Sequence, residues 1–317
     1  MKICVISFDF WNYDEHIVDV LQKKGIDAHH INIGAYRHKN VTAKITNAFS
    51  KVFLKKNLKN INRQELIINS LKKLGHQDQI LIINPESIDR KYHLEIKKYT
   101  NKYIAYLYDS LARNPAEHLL DLFDDVFSFD KHDVEKHGFK LITNYNYLPE
   151  QQYNPNTEYD LVYLASIDNR LNVLTKVEEK LNQLGKSYFF YISGKKAWKK
   201  QFLKTKKNNV VFSRKRIPHQ DILNYYSKGK VILDLVRDQQ VGLSFRIFEA
   251  MALKKKIITN NPTITQYSLY NPKNILLLNK DCTNITKEFF ETPYHELPRE
   301  IYNEYTLEHW VETVFNL

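Results

Sequence analysis

Glycine is scarce in this chain, eight in 317 residues, and five of them (Gly25, Gly75, Gly138, Gly185, Gly229) fall where a helix-like run gives way to an apolar, strand-like one. Residues 17–24 before Gly25 show the pattern. So do residues 177–184 before Gly185-Lys-Ser-Tyr-Phe-Phe-Tyr-Ile192. A glycine just past the last helical turn leaves through the left-handed conformation at no Cβ penalty. Five such junctions along the whole length predict alternating β and α elements, hence a mostly parallel sheet with helices on both faces. The expected strands are 2–8, 28–33, 79–83, 103–108, 125–129 and 140–142, then 159–165, 187–193, 209–212, 230–236, 257–259 and 275–278. Six per half predict two doubly wound, Rossmann-like domains of an α/β protein.

The segment 144–157, Asn-Tyr-Asn-Tyr-Leu-Pro-Glu-Gln-Gln-Tyr-Asn-Pro-Asn-Thr, is polar, holds two prolines and follows no period. It reads as an interdomain linker. The expected domains are therefore 1–150 and 151–300. A C-terminal helix at 301–317 carries Tyr305, Trp310, Val314 and Phe315 at helical spacing. Ligands are expected in a cleft between the domains, at the carboxyl ends of both sheets.

No window reaches 18 uninterrupted apolar residues, which argues against a transmembrane helix. The start, Met-Lys-Ile-Cys-Val-Ile-Ser, lacks the apolar core and small-residue cleavage site of a signal peptide. Cys4 and Cys282 have no metal-ligand spacing and read as reduced core thiols. These features predict a cytoplasmic protein. The net charge of +11 fits nucleic acid, an anionic membrane surface or a polyanionic substrate. Between Asp27 and Glu65 no acidic residue occurs, while Lys51, Lys55, Lys56 and Lys59 do, with Ile45, Ala48, Phe49, Val52 and Phe53 at helical spacing. Such a helix fits either packing on its own domain or an anionic membrane. The tract 195–207 holds seven lysines around Trp198 and Phe202, and fits either a solvated helix or a nucleic-acid or membrane contact.

The first domain has no Gly-x-Gly-x-x-Gly after its first strand, and no Gly-x-x-x-x-Gly-Lys-Ser/Thr occurs anywhere. Dinucleotide enzymes and P-loop NTPases are disfavoured accordingly. Neither Asp-x-Asp nor a His/Cys cluster is present, so no metal site is expected.

The most informative stretch is 240–261. A buried-strand run, 231–236, leads to Gly242 and Ser244, then to a short amphipathic helix at 245–253, then to a strand at 257–259. A strand, a turn and a helix aim free backbone N–H groups and a positive dipole end at the turn, which suits a phosphate. Arg246 and Glu249, three apart, share a helix face.

From Asn-Val-Val-Phe212 through Asp221-Ile-Leu-Asn-Tyr-Tyr-Ser to Gly242-Leu-Ser, Phe248-Glu-Ala-Met-Ala and Lys-Ile-Ile-Thr259, the order and spacing resemble the donor-binding core of GT-B glycosyltransferases. Tyr106-Leu-Tyr-Asp-Ser-Leu-Ala-Arg113 and Val126-Phe-Ser-Phe-Asp-Lys-His-Asp133 are similar to the CgeB-like bacterial branch. The resemblance covers about half the chain. It implies two domains facing across a cleft, acceptor bound by the first and nucleotide-sugar donor by the second, with the last helix crossing back to the first. It also implies a serine and an arginine on the donor diphosphate, matched by Ser166 and Arg170. One departure stands out: many retaining members have two glutamates eight residues apart, and the position eight before Glu249 is Val241.

Arg246 then reaches the diphosphate, and Glu249, among small and apolar neighbours, accepts from ribose hydroxyls. Gln240, Gly242, Ser244 and Lys195 are further donor-side candidates. The alternative for Ser166 or Asp168 is a helix cap, with Arg170 on the surface. In the first domain Asp109, at a strand's carboxyl end, is a candidate general base or an N-cap for a helix starting near Leu111. Asp14 is the competing base, and Trp11 and Arg113 are acceptor-side candidates. The expected partners are a nucleotide-sugar co-substrate and a glycan or lipid-linked acceptor, with no cofactor. Two rival readings are a nucleotide-sugar epimerase of the same fold and a basic nucleic-acid-binding protein.

Overall fold

The computed structural model describes residues 1–9, 12–36, 57–195, 209–237 and 241–317. Trp11, Gln240 and most of the two lysine-rich segments therefore lie outside the described residues. The chain divides into two units, Met1–Thr143 with Trp310–Leu317, and Asn144–His309.

The first unit carries β1 (Lys2–Ser7), β2 (Asp27–Asn32), β3 (Gln77–Ile83), β4 (Thr100–Leu107), β5 (Asp125–Ser128) and β6 (Lys140–Leu141). They form one parallel sheet in the order β2-β1-β3-β4-β5-β6. β1 and β3 are buried along nearly their whole length, as central parallel strands covered on both faces must be. Cys4, Ile6, Ile80 and Ile82 of one face pack with Ile67 and Leu71 of the helix Leu58–Leu74.

The second unit carries β7 (Tyr159–Ser166), β8 (Tyr188–Ser193), β9 (Val210–Ser213), β10 (Gly229–Asp234), β11 (Lys256–Thr259) and β12 (Ile275–Leu277), parallel and in the order β12-β11-β10-β7-β8-β9. Along β10, Val231 and Leu233 pack with Leu174, Val177 and Leu181 of the helix Leu171–Leu184. The intervening Ile232 packs with Ile247, Phe248 and Met251 of the helix Phe245–Ala252 on the other face. The two-residue alternation of the strand thus feeds two separate helix layers.

All twelve expected strands are present within a few residues of their expected ends. The glycine argument holds where the conformation demands it. Gly138 and Gly185 follow helices at φ +70° and +66°. Gly229 differs: it is the first residue of β10, and a Cβ there would lie 2.6 Å from Cγ2 of Val162 on β7. It is required for close strand packing, not for ending a helix.

The C-terminal segment also departs from expectation. Two helices, Arg299–Glu304 and Leu307–Phe315, replace one. The break falls where Asn146 donates its N–H to the Tyr305 carbonyl at 2.7 Å and accepts the Leu307 N–H at 2.9 Å. The segment read as a linker is itself bound to the second unit. Asn144 donates to the Leu243 carbonyl at 2.9 Å, and the Gln151 N–H to the Ala252 carbonyl at 2.8 Å. Both cysteines are free and buried. Among the described residues no helix is long and apolar enough to cross a membrane.

Candidate functional site

In the second unit the chain winds outward from β7 in one direction and from β10 in the other, so the topological switch point lies between these neighbouring strands. Loops leaving their carboxyl ends diverge there, and the opening is where doubly wound sheets hold ligands. Ser166 ends β7 and is half-buried, in register with Ser193 of β8. Just beyond, Asp168 and Arg170 form a two-pronged pair, with Nε donating to Oδ1 at 2.8 Å and Nη2 to Oδ2 at 2.7 Å. Nη1 of Arg170 crosses the switch point to the Leu235 carbonyl at 2.7 Å, and Arg237 returns the crossing, Nε to Asp168 Oδ2 at 3.1 Å. Burial pushes the Asp168 carboxyl up, but the two guanidinium groups outweigh it and hold it below the ordinary value.

β10 ends in Asp234, 1% exposed. A buried carboxylate must be satisfied. Oδ1 accepts the Ser244 hydroxyl at 2.7 Å and Arg246 Nη1 at 2.9 Å, and Oδ2 accepts the Thr259 hydroxyl at 3.1 Å. Ser244 precedes the helix Phe245–Ala252 in extended conformation but does not cap it, because its hydroxyl is turned to Asp234. Burial opposes charge on Arg246, yet Tyr226, Asp234 and Tyr163 outweigh it and keep the group firmly cationic. Its guanidinium carbon lies 5.8 Å from the centre of the Tyr163 ring. Gly242 is buried, and its carbonyl accepts from Asn261 at 3.1 Å.

Glu249, one turn along that helix, is 2% exposed and accepts the Tyr147 hydroxyl at 2.8 Å. The Tyr147 ring lies beside His219 and Phe245, at 5.4 and 6.3 Å. Lys195 is exposed, after Gly194 at the end of β8.

The first unit has a different order, and its switch point falls between β1 and β3. After β1, Asp9 accepts the Tyr13 N–H at 2.9 Å and the Glu15 N–H at 3.3 Å. Asp14, 1% exposed, has a carboxyl oxygen, Oδ2, with no hydrogen-bond partner among the described residues. Burial first, and the Asp9 charge second, raise its pKa from 3.8 to about 8 against the opposing Ser7 hydroxyl. Asp14 therefore carries a proton at neutral pH. Glu86, after β3, is also raised, mainly by burial and with Asp109 contributing. Asp109, after β4, pairs with Arg113 at 3.0 Å. No α-helix follows it: residues 111–113 form a turn whose Leu111 N–H goes to Asp133 at 2.7 Å, which removes the N-cap reading.

Ser166, Arg170, Gly242, Ser244, Arg246 and Glu249 thus lie at the strand end, loops and helix of one switch point, whereas Asp14 follows β1 and Asp109 follows β4 of the other sheet, with β3 between those strands. Sequence reasoning missed Asp234, the acceptor for three side chains, and Tyr147. The signal for Asp234 was present: a lone acidic residue inside the apolar run 231–236. Among the described residues no three His, Cys, Asp or Glu side chains are placed to hold a metal ion.

Residues 171–314 match a family model described as glycosyl transferase-like. No curated protein matches the chain. Among solved structures, a UDP-forming α,α-trehalose-phosphate synthase from Burkholderia xenovorans is 11% identical with a TM-score of 0.61, covering 100% of this chain and 98% of its own. The lipopolysaccharide outer core galactosyltransferase WaaB is 13% identical with a TM-score of 0.52, covering 99% and 95%. A UDP-GlcNAc 2-epimerase from Methanocaldococcus jannaschii is 15% identical with a TM-score of 0.53, covering 100% of both chains. These likenesses establish the fold: two parallel six-stranded α/β sheets of the GT-B type. The family match over the second unit supports a glycosyltransferase.

Proposed function

We propose that the protein is a metal-independent, hexosyl-type glycosyltransferase that moves a sugar from a nucleotide-sugar donor to a glycan or lipid-linked acceptor. The observation that carries this reading is the β7/β10 switch point, where Arg170 reaches the Leu235 carbonyl, Arg237 reaches Asp168, and Arg246, in the first turn of the helix Phe245–Ala252, reaches Asp234. A guanidinium has five N–H donors, so the carboxylate contacts of Arg170 and Arg246 leave donors for diphosphate oxygens. With the helix N-terminus they would stabilise the leaving nucleoside diphosphate without a metal. Ser166, Gly242, Ser244, Lys195 and Gln240 would complete the donor side, with Glu249 on the ribose.

The first unit would take the acceptor, with Trp11 and Arg113 on it. Of the two acid/base candidates, Asp109 keeps a cation beside it, whereas Asp14 holds a proton at pH 7 and becomes a base only as pH passes about 8. The chain would belong to the CgeB-like branch and extend bacterial surface polysaccharide or lipopolysaccharide at the cytoplasmic face. Its basic segment 36–63 would give reversible attachment, each lysine near an anionic bilayer adding about 1 kcal/mol. Sedimentation with anionic liposomes at low salt, lost on changing Lys51, Lys55, Lys56 and Lys59 to Glu, tests that part.

A second reading, nucleotide-sugar epimerase, draws support from the full-length likeness to the epimerase. Incubating candidate nucleotide sugars with and without acceptor separates the two. Transfer requires the acceptor, whereas epimerisation alters the donor sugar in its absence.

A further inference from the structure

Glu249 is held by a residue from outside its own helix, and that residue stands on a firmly anchored piece of chain. Tyr147 Oη donates to Glu249 Oε1 at 2.8 Å, and both residues belong to the second unit. The segment around Tyr147 is bonded to both ends of the helix Phe245–Ala252. Asn144 Nδ2 donates to the Leu243 carbonyl just before the helix at 2.9 Å, and the Gln151 N–H to the carbonyl of Ala252, its last residue, at 2.8 Å. Between those bonds the rings of Tyr145 and Tyr147 both stand edge-on to Phe245, at 5.3 and 6.3 Å. Asn146, beside Tyr147 and buried, uses its backbone and its side chain alike. Its N–H donates to the Tyr305 carbonyl, and its carbonyl accepts the Leu307 N–H. Its amide donates to the Tyr302 hydroxyl at 2.9 Å and accepts the Leu148 N–H at 3.0 Å. A side chain mounted this way is a strut and not a lid.

We propose that Tyr147 is a positioning residue for the donor nucleotide: it sets the plane of the Glu249 carboxylate and so makes the site select ribonucleotides over deoxyribonucleotides. The proposal rests on the reading of Glu249 as the partner of the ribose. Glu249 is 2% exposed, and a carboxylate so buried is costly unless it is hydrogen-bonded. A donor fixed on one oxygen also fixes the plane in which both oxygens accept. A ribose hydroxyl arriving in that plane gains a charge-assisted hydrogen bond without the carboxylate having to reorient. A deoxyribose brings no hydroxyl there and forfeits the bond, which is how a site built for a hydroxyl rejects an analogue lacking it. Phe at position 147 would keep the ring beside Phe245 and His219 and remove only the donor.

The test is calorimetric titration of the full chain with UDP, GDP and ADP, then with the 2′-deoxy and 3′-deoxy counterparts of whichever binds the wild type best. The wild type should prefer the ribonucleotide to at least one deoxy counterpart by about tenfold or more. Tyr147→Phe should bind the ribonucleotide about threefold or more weakly, lose less toward that deoxy counterpart, and so narrow the preference. Equal losses toward both ligands, which a merely structural role would give, overturn the proposal. So does an unchanged preference in Tyr147→Phe, or tighter binding by it, which would make Tyr147 an occupant that the nucleotide displaces. If Tyr147→Phe does not fold, Tyr147→Met, which also lacks the hydroxyl and fills the space flexibly, decides by the same ratio. Failure of the wild type to bind any of the three diphosphates breaks the donor-site reading itself and takes this proposal with it. Binding without discrimination between ribose and deoxyribose breaks the proposal alone.

Discussion

The carboxyl ends of the two sheets solve the problem of buried acids in different ways. In the second unit, Asp168 is held by Arg170 and Arg237, and Asp234 by Arg246 and two hydroxyl groups. In the first, Asp14 lies beside another acid, Asp9, and a serine, and takes up a proton instead. The strand orders differ to match: the second unit opens between β7 and β10, and the first between β1 and β3. One winding principle thus presents two chemistries. Permanent guanidinium charge at one switch point suits an anionic ligand, and an exchangeable proton at the other suits a hydroxyl group.

The sharpest way to break this comparison is at Asp234. Asp234→Ala should destabilise the protein by about 3–5 kcal/mol, since it strands a largely buried guanidinium, and denaturant unfolding reads the loss directly. Arg246→Ala should also lower stability, because it leaves Asp234 without its cation. An Asp234→Ala/Arg246→Ala double variant should lose less than the two single losses added together. Additive losses would show that the two side chains are not a pair.

The next effect depends on pH. The folded pKa of Asp14 is raised from 3.8 to about 8. The stability this buried neutral acid confers is present below its unfolded pKa and is lost as pH rises through the folded value. Between about pH 4 and pH 8 the wild type should therefore lose more stability than Asp14→Asn. Parallel stability curves would remove the contrast between the two units. Smaller again is Glu249→Gln, which keeps the hydrogen bond from Tyr147 and should slow transfer at least tenfold, about 1.4 kcal/mol, with little change in melting temperature. The smallest expected effect is none: EDTA should leave transfer unchanged, and rescue of a lost activity by magnesium or manganese would contradict the metal-independent reading.

The sheets were legible in the sequence because burial on both faces leaves continuous apolar runs, and those runs mark strands without reference to partners. Ser166, Arg170, Arg246 and Glu249 stand out for a related reason: they follow such runs at turns into helices. Pairing was not legible. Nothing local says that Arg246 meets Asp234, twelve residues earlier, or that Arg170 reaches the Leu235 carbonyl 65 residues on. Gly229 misled because the same residue type serves a helix exit and a close strand contact, and only the position of Val162 tells them apart. Tyr147 sat in a proline-bearing polar segment that resembles a linker until its hydroxyl is found on Glu249.

The central claim is that the β7/β10 switch point binds a nucleoside diphosphate. Calorimetric titration of the wild type and Glu249→Gln with UDP, GDP, CMP and ADP tests it most directly. One of the three diphosphates should bind the wild type in preference to the other two and to CMP, the monophosphate, and should bind Glu249→Gln at least tenfold more weakly, about 1.4 kcal/mol. Absence of binding by all three diphosphates, or equal binding by the wild type and Glu249→Gln, would contradict the account.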